Sequence, residues 1–378
     1  MSTIQASPQP LDLAALDAVS PTTPYFVFQR DKIIAAVQHL SSALPVDKLH
    51  YAVKCNPHPE ILRTIAGIGA GFEIASVSEL NLLLSLGVDP DDILFSAPVK
   101  SVEAIVYAYQ KNIKYYTFDS PEELIKLSRH APGSHVTVRL KVNDRKSVFS
   151  MSHKFGIGDD AAVGLMVQAK HLRLVPYGVT FHVGSQAMRA TAWSDALRHV
   201  KTVVRQLQRH DIQLGLINLG GGFPIAYQYG VPSWEEIGAH ARAAIEALPY
   251  RPRIVAEPGR ALVAHSASLV AGIIHRTFRE NREWAYLDVG AYNGLLEVMA
   301  YQGSIRYPLR THRGPNAKSA RFVVTGPTCD SLDTIEGHAL LPHALAVGER
   351  LYIDNVGAYT TSLANSFNGF APPEVFVI

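Results

Sequence analysis

A (β/α)8 barrel joined to a mostly antiparallel β domain is the fold this sequence predicts, on three observations. From about residue 48 to residue 260 the chain repeats a short apolar strand, a polar or Gly-rich turn and an amphipathic helix. After Arg260 that alternation stops, and strand-like segments follow one another with Gly and Pro between them. Ionisable side chains and glycines recur just past the strands, where a barrel keeps its chemistry. Strand–helix alternation implies parallel strands, and eight such units suit a closed barrel. An open doubly wound sheet is the alternative architecture.

The expected barrel strands, in order, are residues 49–54, 71–75, 93–97, 114–118, 135–142, 178–183, 216–220 and 253–256. Each is a short run of strand-forming residues ended by turn formers such as Asn56-Pro57, Ser76 or Pro98. Between them lie amphipathic runs such as PEILRTIAGIG, VSELNLLLSLG, VEAIVYAYQKN and SPEELIKLSRH. In the last, Ser120 with Glu123 three residues on is a capping box. The polar, irregular stretch NDRKSVFSMSHKFG, residues 143–156, interrupts the rhythm and suits a lid. Beyond the barrel, SASLVAGIIHR, EWAYLDVG, ARFVVTGP and ERLYIDNVG read as strands, and PYFVFQR (24–30) is expected to join them. The domains so defined are a barrel over 31–264 and a β domain made of 1–30 plus 265–378.

Composition excludes several classes. The chain has 378 residues, 47% hydrophobic and 18% charged, an ordinary globular balance. A net charge of +2 makes no electrostatic case for nucleic acid or an acidic membrane surface. Two cysteines, Cys55 and Cys329, are too few for a disulfide framework and fit a reducing cytoplasm. The N-terminus MSTIQASPQPLDL lacks the basic-then-apolar pattern of a secretion signal, and no stretch approaches the ~20 apolar residues of a membrane span. Sixteen histidines show no metal-ligand spacing, so no metal is expected.

The polar groups past the strands converge on one mouth. They are Lys54, Glu73, Arg139 within its strand, His182 and Ser185, the triple glycine Gly220-Gly221-Gly222, and Glu257-Pro258-Gly259-Arg260. A buried lysine is expected to lose its proton readily and to attack a carbonyl as the neutral amine. The glycines after the seventh strand suit a phosphate cradle, although a tight turn would use them too. The GxGxxG spacing of a dinucleotide site is absent. Glu257 suits either an ion pair with Arg260 or a carboxylate that keeps a ring nitrogen protonated, with Arg260 on phosphate. His182 suits a core histidine or a ring stacked on a flat ligand. One cofactor uses all of these together: pyridoxal 5′-phosphate. A carboxylate at its ring nitrogen favours decarboxylation over racemisation, because the ring then accepts the electron pair released at Cα.

The motifs YAVKCN, GFEIAS, FHVGSQ, LGGGFP, EPGR, GPTCDSLD, GAYT and SFNGF resemble, in order and over about residues 24–378, those of the fold-type III pyridoxal-phosphate decarboxylases. The ornithine decarboxylase branch is the better match: GPTCDSLD and GGGFP set it apart from the diaminopimelate enzymes. The resemblance implies that Lys54 forms the Schiff base and that Glu73, where the branch usually has Asp, lies beside it. It places Arg139 near the reactive face, His182 on the pyridine ring and Glu257 at the ring nitrogen. It gives Ser185, Gly221, Gly222, Gly259, Arg260 and Tyr359 to the cofactor and its phosphate. It further implies a homodimer with shared active sites, in which Cys329 and Asp330 come from the other subunit. Cys329 would protonate the carbon that has lost CO2, Asp330 would hold the substrate's distal amine, and Phe367 would line the pocket.

One departure concerns the substrate. Tyr301-Gln302 stands where the ornithine branch has Tyr-Asp, the acid that holds the distal ammonium. Losing a charged hydrogen bond of roughly 1.5–3 kcal/mol would weaken ornithine binding by one to two orders of magnitude. Tyr301, Gln302, Asp330 and Phe367 are thus the expected substrate residues. The expected substrate is a basic or modified L-amino acid, with Arg306 and Arg310 open to an acidic one. Racemisation and a catalytically inactive regulatory homologue are the competing readings.

Overall fold

The computed structural model describes residues 9–378 apart from 228, 302 and 314–316. The chain divides into two compact units. One holds Ile34–Pro224 and Val231–Leu262; the other holds Ile225–Gly230, Val263–Ile378 and the described residues before Ile34.

The first unit is a closed barrel of eight parallel strands: Lys48–Ala52, Gly71–Ile74, Ile93–Phe95, Tyr115–Phe118, His135–Leu140, Val175–Phe181, Leu216–Asn218 and Arg253–Ala256. The last strand pairs back onto the first through Val255↔Lys48 and Ala256↔Leu49. Tyr51, Phe72, Phe95, Tyr116, Phe118 and Phe181 are among its fully buried side chains. Burial on both faces explains why these strands are near-continuous apolar runs rather than alternating ones. Helices follow the strands, and their starts are encoded locally. Ser76, Ser101, Ser120 and Ser233 each accept a hydrogen bond from the backbone N–H three residues on. These caps satisfy donors that a helix start leaves unpaired, each worth about 1 kcal/mol.

Two local differences from the sequence expectation bear on the site. Lys54 is not at a strand end: the strand stops at Ala52, and Lys54 sits in the one-turn 3₁₀ helix Val53–Cys55. The interrupting stretch at 143–156 is not wholly irregular. It contains the strand Ser147–Phe149, which pairs antiparallel with Ser185–Ala187.

The second unit is built on an eight-stranded sheet of Tyr25–Phe28, Ala267–Arg279, Arg282–Leu287, Leu309–Arg310, Ser319–Thr325, Thr334–Pro342, Arg350–Asp354 and Glu374–Val377. Most neighbours are antiparallel. The exceptions are Tyr25–Phe28 beside Glu374–Val377 and Arg282–Leu287 beside Ser319–Thr325. Tyr25–Phe28, early in the chain, does enter this sheet, against Ala267–Arg279. Leu16, Tyr25, Val27, Val270 and Tyr352 form one buried cluster of the unit. Among the described residues, no helix is long and apolar enough to cross a membrane.

Candidate active site

The barrel unit gathers charge at the carboxyl ends of its strands. Glu73, on Gly71–Ile74, is 3% exposed, and its carboxylate accepts a hydrogen bond from Lys54 Nζ. The Lys54 side chain is 45% exposed to solvent. Burial alone would lower its pKa, but the charge and hydrogen bond of Glu73, with Glu257 and Glu79 farther off, outweigh it and raise the value. The expectation of a depressed lysine is therefore wrong for the chain alone, because the carboxylates were not weighed against burial.

Glu257 follows the last barrel strand. Ser96 Oγ donates to it, and Asn218 hydrogen-bonds it as well. Burial, and then repulsion from Glu73, push its carboxyl up to about 7. Its N–H donates to the Gly220 carbonyl at 2.8 Å, tying the carboxylate to the glycine turn. His182 follows Val175–Phe181. Its Nδ1 accepts the Gly184 N–H at 3.0 Å. Burial, with Arg139 and Lys54 nearby, lowers the ring to about 3, so it is a neutral imidazole. Arg139, on His135–Leu140, lies over Phe155 at 5.3 Å. Burial lowers its pKa against the opposing pull of Glu257, Asp119 and Glu73.

The glycine turn is shaped for close approach. Gly220 and Gly222 have φ of +64° and +95°, which disfavour side chains. A Cβ at Gly221 would lie 2.7 Å from the Glu257 carbonyl, and one at Gly222 would lie 2.2 Å from the Gly184 carbonyl. Gly259 is packed on Cys55, whose Cβ would stand 2.9 Å from an added Cβ. Arg260 is buried with its guanidinium 5.8 Å from the Phe149 ring centre, and Phe149 pairs with Ser185 across the short two-stranded sheet. Lys54, Glu73, Arg139, His182, Ser185, the glycines, Glu257 and Arg260 thus all belong to this unit.

The second unit holds a separate cluster. Tyr292 Oη donates to the Asp330 carboxylate, which also accepts the Leu332 N–H at 2.9 Å. The backbone bond first, then Tyr292, hold Asp330 below the usual carboxylate range. The Tyr292 and Phe367 rings lie 4.4 Å apart, and the Cys329 N–H donates to Asn368 Oδ1 at 3.1 Å. Beneath them Asp333 is fully buried and accepts from Ala291 N at 2.7 Å, Thr328 N at 3.1 Å and Thr328 Oγ1 at 2.7 Å. It thereby joins the turn bearing Tyr292 to the turn bearing Cys329 and Asp330. Tyr359, partly buried at φ +55°, lies after Arg350–Asp354, and Tyr301 caps the helix Glu297–Ala300. Gln302 lies outside the described residues. Arg310 is not open to an acidic substrate: it pairs with Asp354, 2.9 Å from Nη2, and Arg306 stands 3.8 Å from Glu336.

Sequence reasoning missed Ser96, Asn218, Asp144, Tyr292 and Asp333. Each acts through a hydrogen bond whose partner is distant in the chain or hidden in a turn, and none carries a spacing signal of its own. Asp333 lies in the motif GPTCDSLD and Asp144 in the lid-like stretch 143–156, yet neither was read as a site residue.

Comparison with known proteins agrees with this geometry. The family described as "Pyridoxal-dependent decarboxylase, pyridoxal binding domain" matches residues 30–264. The chain is 31% identical to the lysine/ornithine decarboxylase of Selenomonas ruminantium, over 94% of this chain and 90% of that protein. It is 34% identical to the ornithine decarboxylase of Schizosaccharomyces pombe, over 92% and 81% respectively. Among solved structures, the lysine/ornithine decarboxylase of Vibrio vulnificus complexed with cadaverine superposes with a TM-score of 0.89. That match has 31% identity and covers 97% of both chains.

Proposed function

The chain belongs to the pyridoxal-dependent decarboxylase family, its cofactor is pyridoxal 5′-phosphate, and we propose that it removes CO2 from an L-amino acid carrying a basic distal group. The observation that carries this reading is Lys54 hydrogen-bonded to the buried Glu73, with Glu257 raised by burial and a neutral His182 beside them. The residues fit the cofactor. A carboxyl raised to about 7 is one that a cation brings back down, as a protonated ring nitrogen does. The neutral imidazole of His182 offers a flat face without charge repulsion. The turn at Gly220, Gly221 and Gly222 has no space for a Cβ, and the buried Arg260 supplies the charge a phosphate needs.

In this reading Lys54 would hold the cofactor, which when bound would supply the electron sink for the pair released as CO2 leaves. The Glu73 carboxylate, hydrogen-bonded to Lys54 Nζ, would take that nitrogen's extra proton. Ser96 and Asn218 keep Glu257 oriented. Arg139 stays cationic despite burial, as arginine does, and suits a carboxylate-bearing substrate. Ser185 completes the barrel unit's phosphate contacts, with Gly259 allowing the Arg260 turn its close seat on Cys55.

We assign the substrate's distal amine to Asp330, an anion at neutral pH, with Tyr292 and Phe367 beside it. Cys329 is given the proton for the carbon that has lost CO2. Cys329 is exposed on its own chain, which supports a homodimer in which a second copy covers it, and a chain with only two cysteines supports a cytoplasmic setting. Gln302 and Tyr301 set the length and charge of the side chain accepted. The test is CO2 release from ornithine, lysine, arginine and diaminopimelate by cofactor-loaded enzyme. Release from at least one basic amino acid is expected, and release from none overturns the assignment. Gln302→Asp should raise ornithine turnover relative to the other substrates; an unchanged ranking removes Gln302 from specificity.

A further inference from the structure

Asp144 lies in the segment between the strands His135–Leu140 and Val175–Phe181 and is 2% exposed. Its two oxygens accept four hydrogen bonds from one short turn. Oδ1 takes Ser150 Oγ at 2.8 Å and Ser152 Oγ at 2.7 Å. Oδ2 takes the N–H groups of Met151 and Ser152, the latter at 2.7 Å. Its backbone carbonyl accepts from Ser147 N at 3.0 Å and Ser147 Oγ at 2.7 Å. A single residue therefore binds both ends of Ser147–Phe149.

That strand is where the segment meets the site. Phe149 pairs with Ser185 and Ser147 with Ala187. The Ala187 N–H in turn donates to the Gly222 carbonyl at 3.0 Å. A Cβ on Gly184 would collide with Ser147 Oγ at 2.0 Å, so the fit is close. Phe149 also lies against the Arg260 guanidinium, 5.8 Å from ring centre to the cation.

We propose that Asp144 is a positioning residue for the phosphate end of the barrel mouth, acting through Ser147–Phe149 on Ser185, Gly222 and Arg260. The proposal rests on reading that end as the cofactor's phosphate site. A carboxylate is needed because only an acceptor-only group satisfies four donors at once. Those hydrogen bonds hold Asp144 below the usual carboxylate range although burial opposes them. Its charge also bears on Arg139 and His182, which links the turn to the reactive face.

The experiment uses full-length apoenzyme, wild type and Asp144→Ala, with two readouts. The first is trypsin cleavage at Arg145, Lys146 and Lys154 under native conditions. The second is equilibrium binding of pyridoxal 5′-phosphate and of pyridoxal, which lacks the phosphate. Asp144→Ala is expected to speed cleavage and to weaken pyridoxal 5′-phosphate by about 10-fold or more, the loss that one charge-assisted hydrogen bond represents. Pyridoxal binding should change less than about 2-fold, well within the effect of one neutral hydrogen bond. Asp144→Asn, which keeps one acceptor oxygen, should fall between. If the Ala variant does not fold, Ser150→Ala with Ser152→Ala removes two of the same four hydrogen bonds, those from the hydroxyls, and carries the test. Unchanged cleavage and unchanged phosphate-ligand affinity overturn the proposal, as does equal weakening of both ligands. Wild-type protein that binds pyridoxal as tightly as pyridoxal 5′-phosphate overturns the phosphate-site reading instead, whatever the variants do.

Discussion

The barrel mouth and the Asp330 cluster both orient acids with hydrogen bonds, yet the first shields Glu73 and Glu257 from water while Asp330 itself stays open to it. In the mouth, burial is the largest influence on Lys54, Arg139, His182 and Glu257, and neighbouring charges correct or add to it. At Asp330, the backbone N–H of Leu332 and the Tyr292 hydroxyl set the pKa, while Cys329 and Phe367 stand exposed. The barrel therefore prepares proton chemistry within one chain. Apart from the proton assigned to Cys329, the β unit supplies orientation, and it leaves the exclusion of water to whatever covers it. Substitutions in the mouth should change the chemical step, and those of Asp330 and Tyr292 should change substrate affinity.

The largest effect should come from Lys54→Ala. It removes the covalent anchor and a proton carrier, and general acid–base contributions alone are about 10²–10⁴-fold. CO2 release should fall by at least ~10²-fold, and the borohydride-trapped adduct should vanish; wild-type CO2 release would break the assignment of chemistry to the mouth. Glu257→Gln should follow, with kcat lowered roughly 10- to 100-fold, the equivalent of a charged hydrogen bond of about 1.5–3 kcal/mol. A Glu257→Gln enzyme with altered KM and normal kcat would place that carboxylate on the binding side of the comparison.

Tyr292→Phe should be milder. Losing one hydrogen bond to Asp330 is worth about 0.5–1.5 kcal/mol, a roughly 2- to 10-fold rise in KM with kcat held. Steady-state kinetics on a basic amino acid check it, and a fall in kcat alone would erase the contrast between the regions. A further effect touches stability rather than turnover and stays within the barrel. His50 is 2% exposed, and burial, with Arg253 and Lys48, lowers it to about 4 from an ordinary 6.5. The unfolded chain then binds the proton first, so stability is full above pH 6.5 and is lost as pH falls toward 4. The total is about 3 kcal/mol. Denaturant titrations at pH 7 and 4.5 check this, and His50→Gln should flatten the difference.

Much of the barrel was legible because its strands are near-continuous apolar runs and four of its helices open on a capping serine. The strand Arg253–Ala256 has the expected bounds, and Ser120 caps its helix as its spacing with Glu123 implied. Ends were less legible: residues 216–220 were expected as strand, but pairing stops at Asn218, whose Oδ1 takes the Gly220 N–H to start the turn. The short strand at Ser147–Phe149 was hidden because its partner, Ser185–Ala187, is nearly forty residues away and neither is long enough for a periodicity. The protonation of Lys54 was misjudged because sequence shows that a lysine will be buried, not that Glu73 on the adjacent strand will reach it.

The barrel closes between its first and last strands, and the proposed chemistry straddles that seam. Lys54 follows the first strand and Glu257 the last; the Ala52 N–H donates to the Pro258 carbonyl at 3.1 Å. During synthesis the ring cannot be completed before residue 256 has emerged, and this pairing is among the most sequence-distant in the unit. The proposed catalytic residues on the two sides of the seam thus meet only once the barrel has closed. Any ligand held from both sides of the seam acts as a clasp on closure, so cofactor supply should govern how much of the newly made chain survives proteolysis.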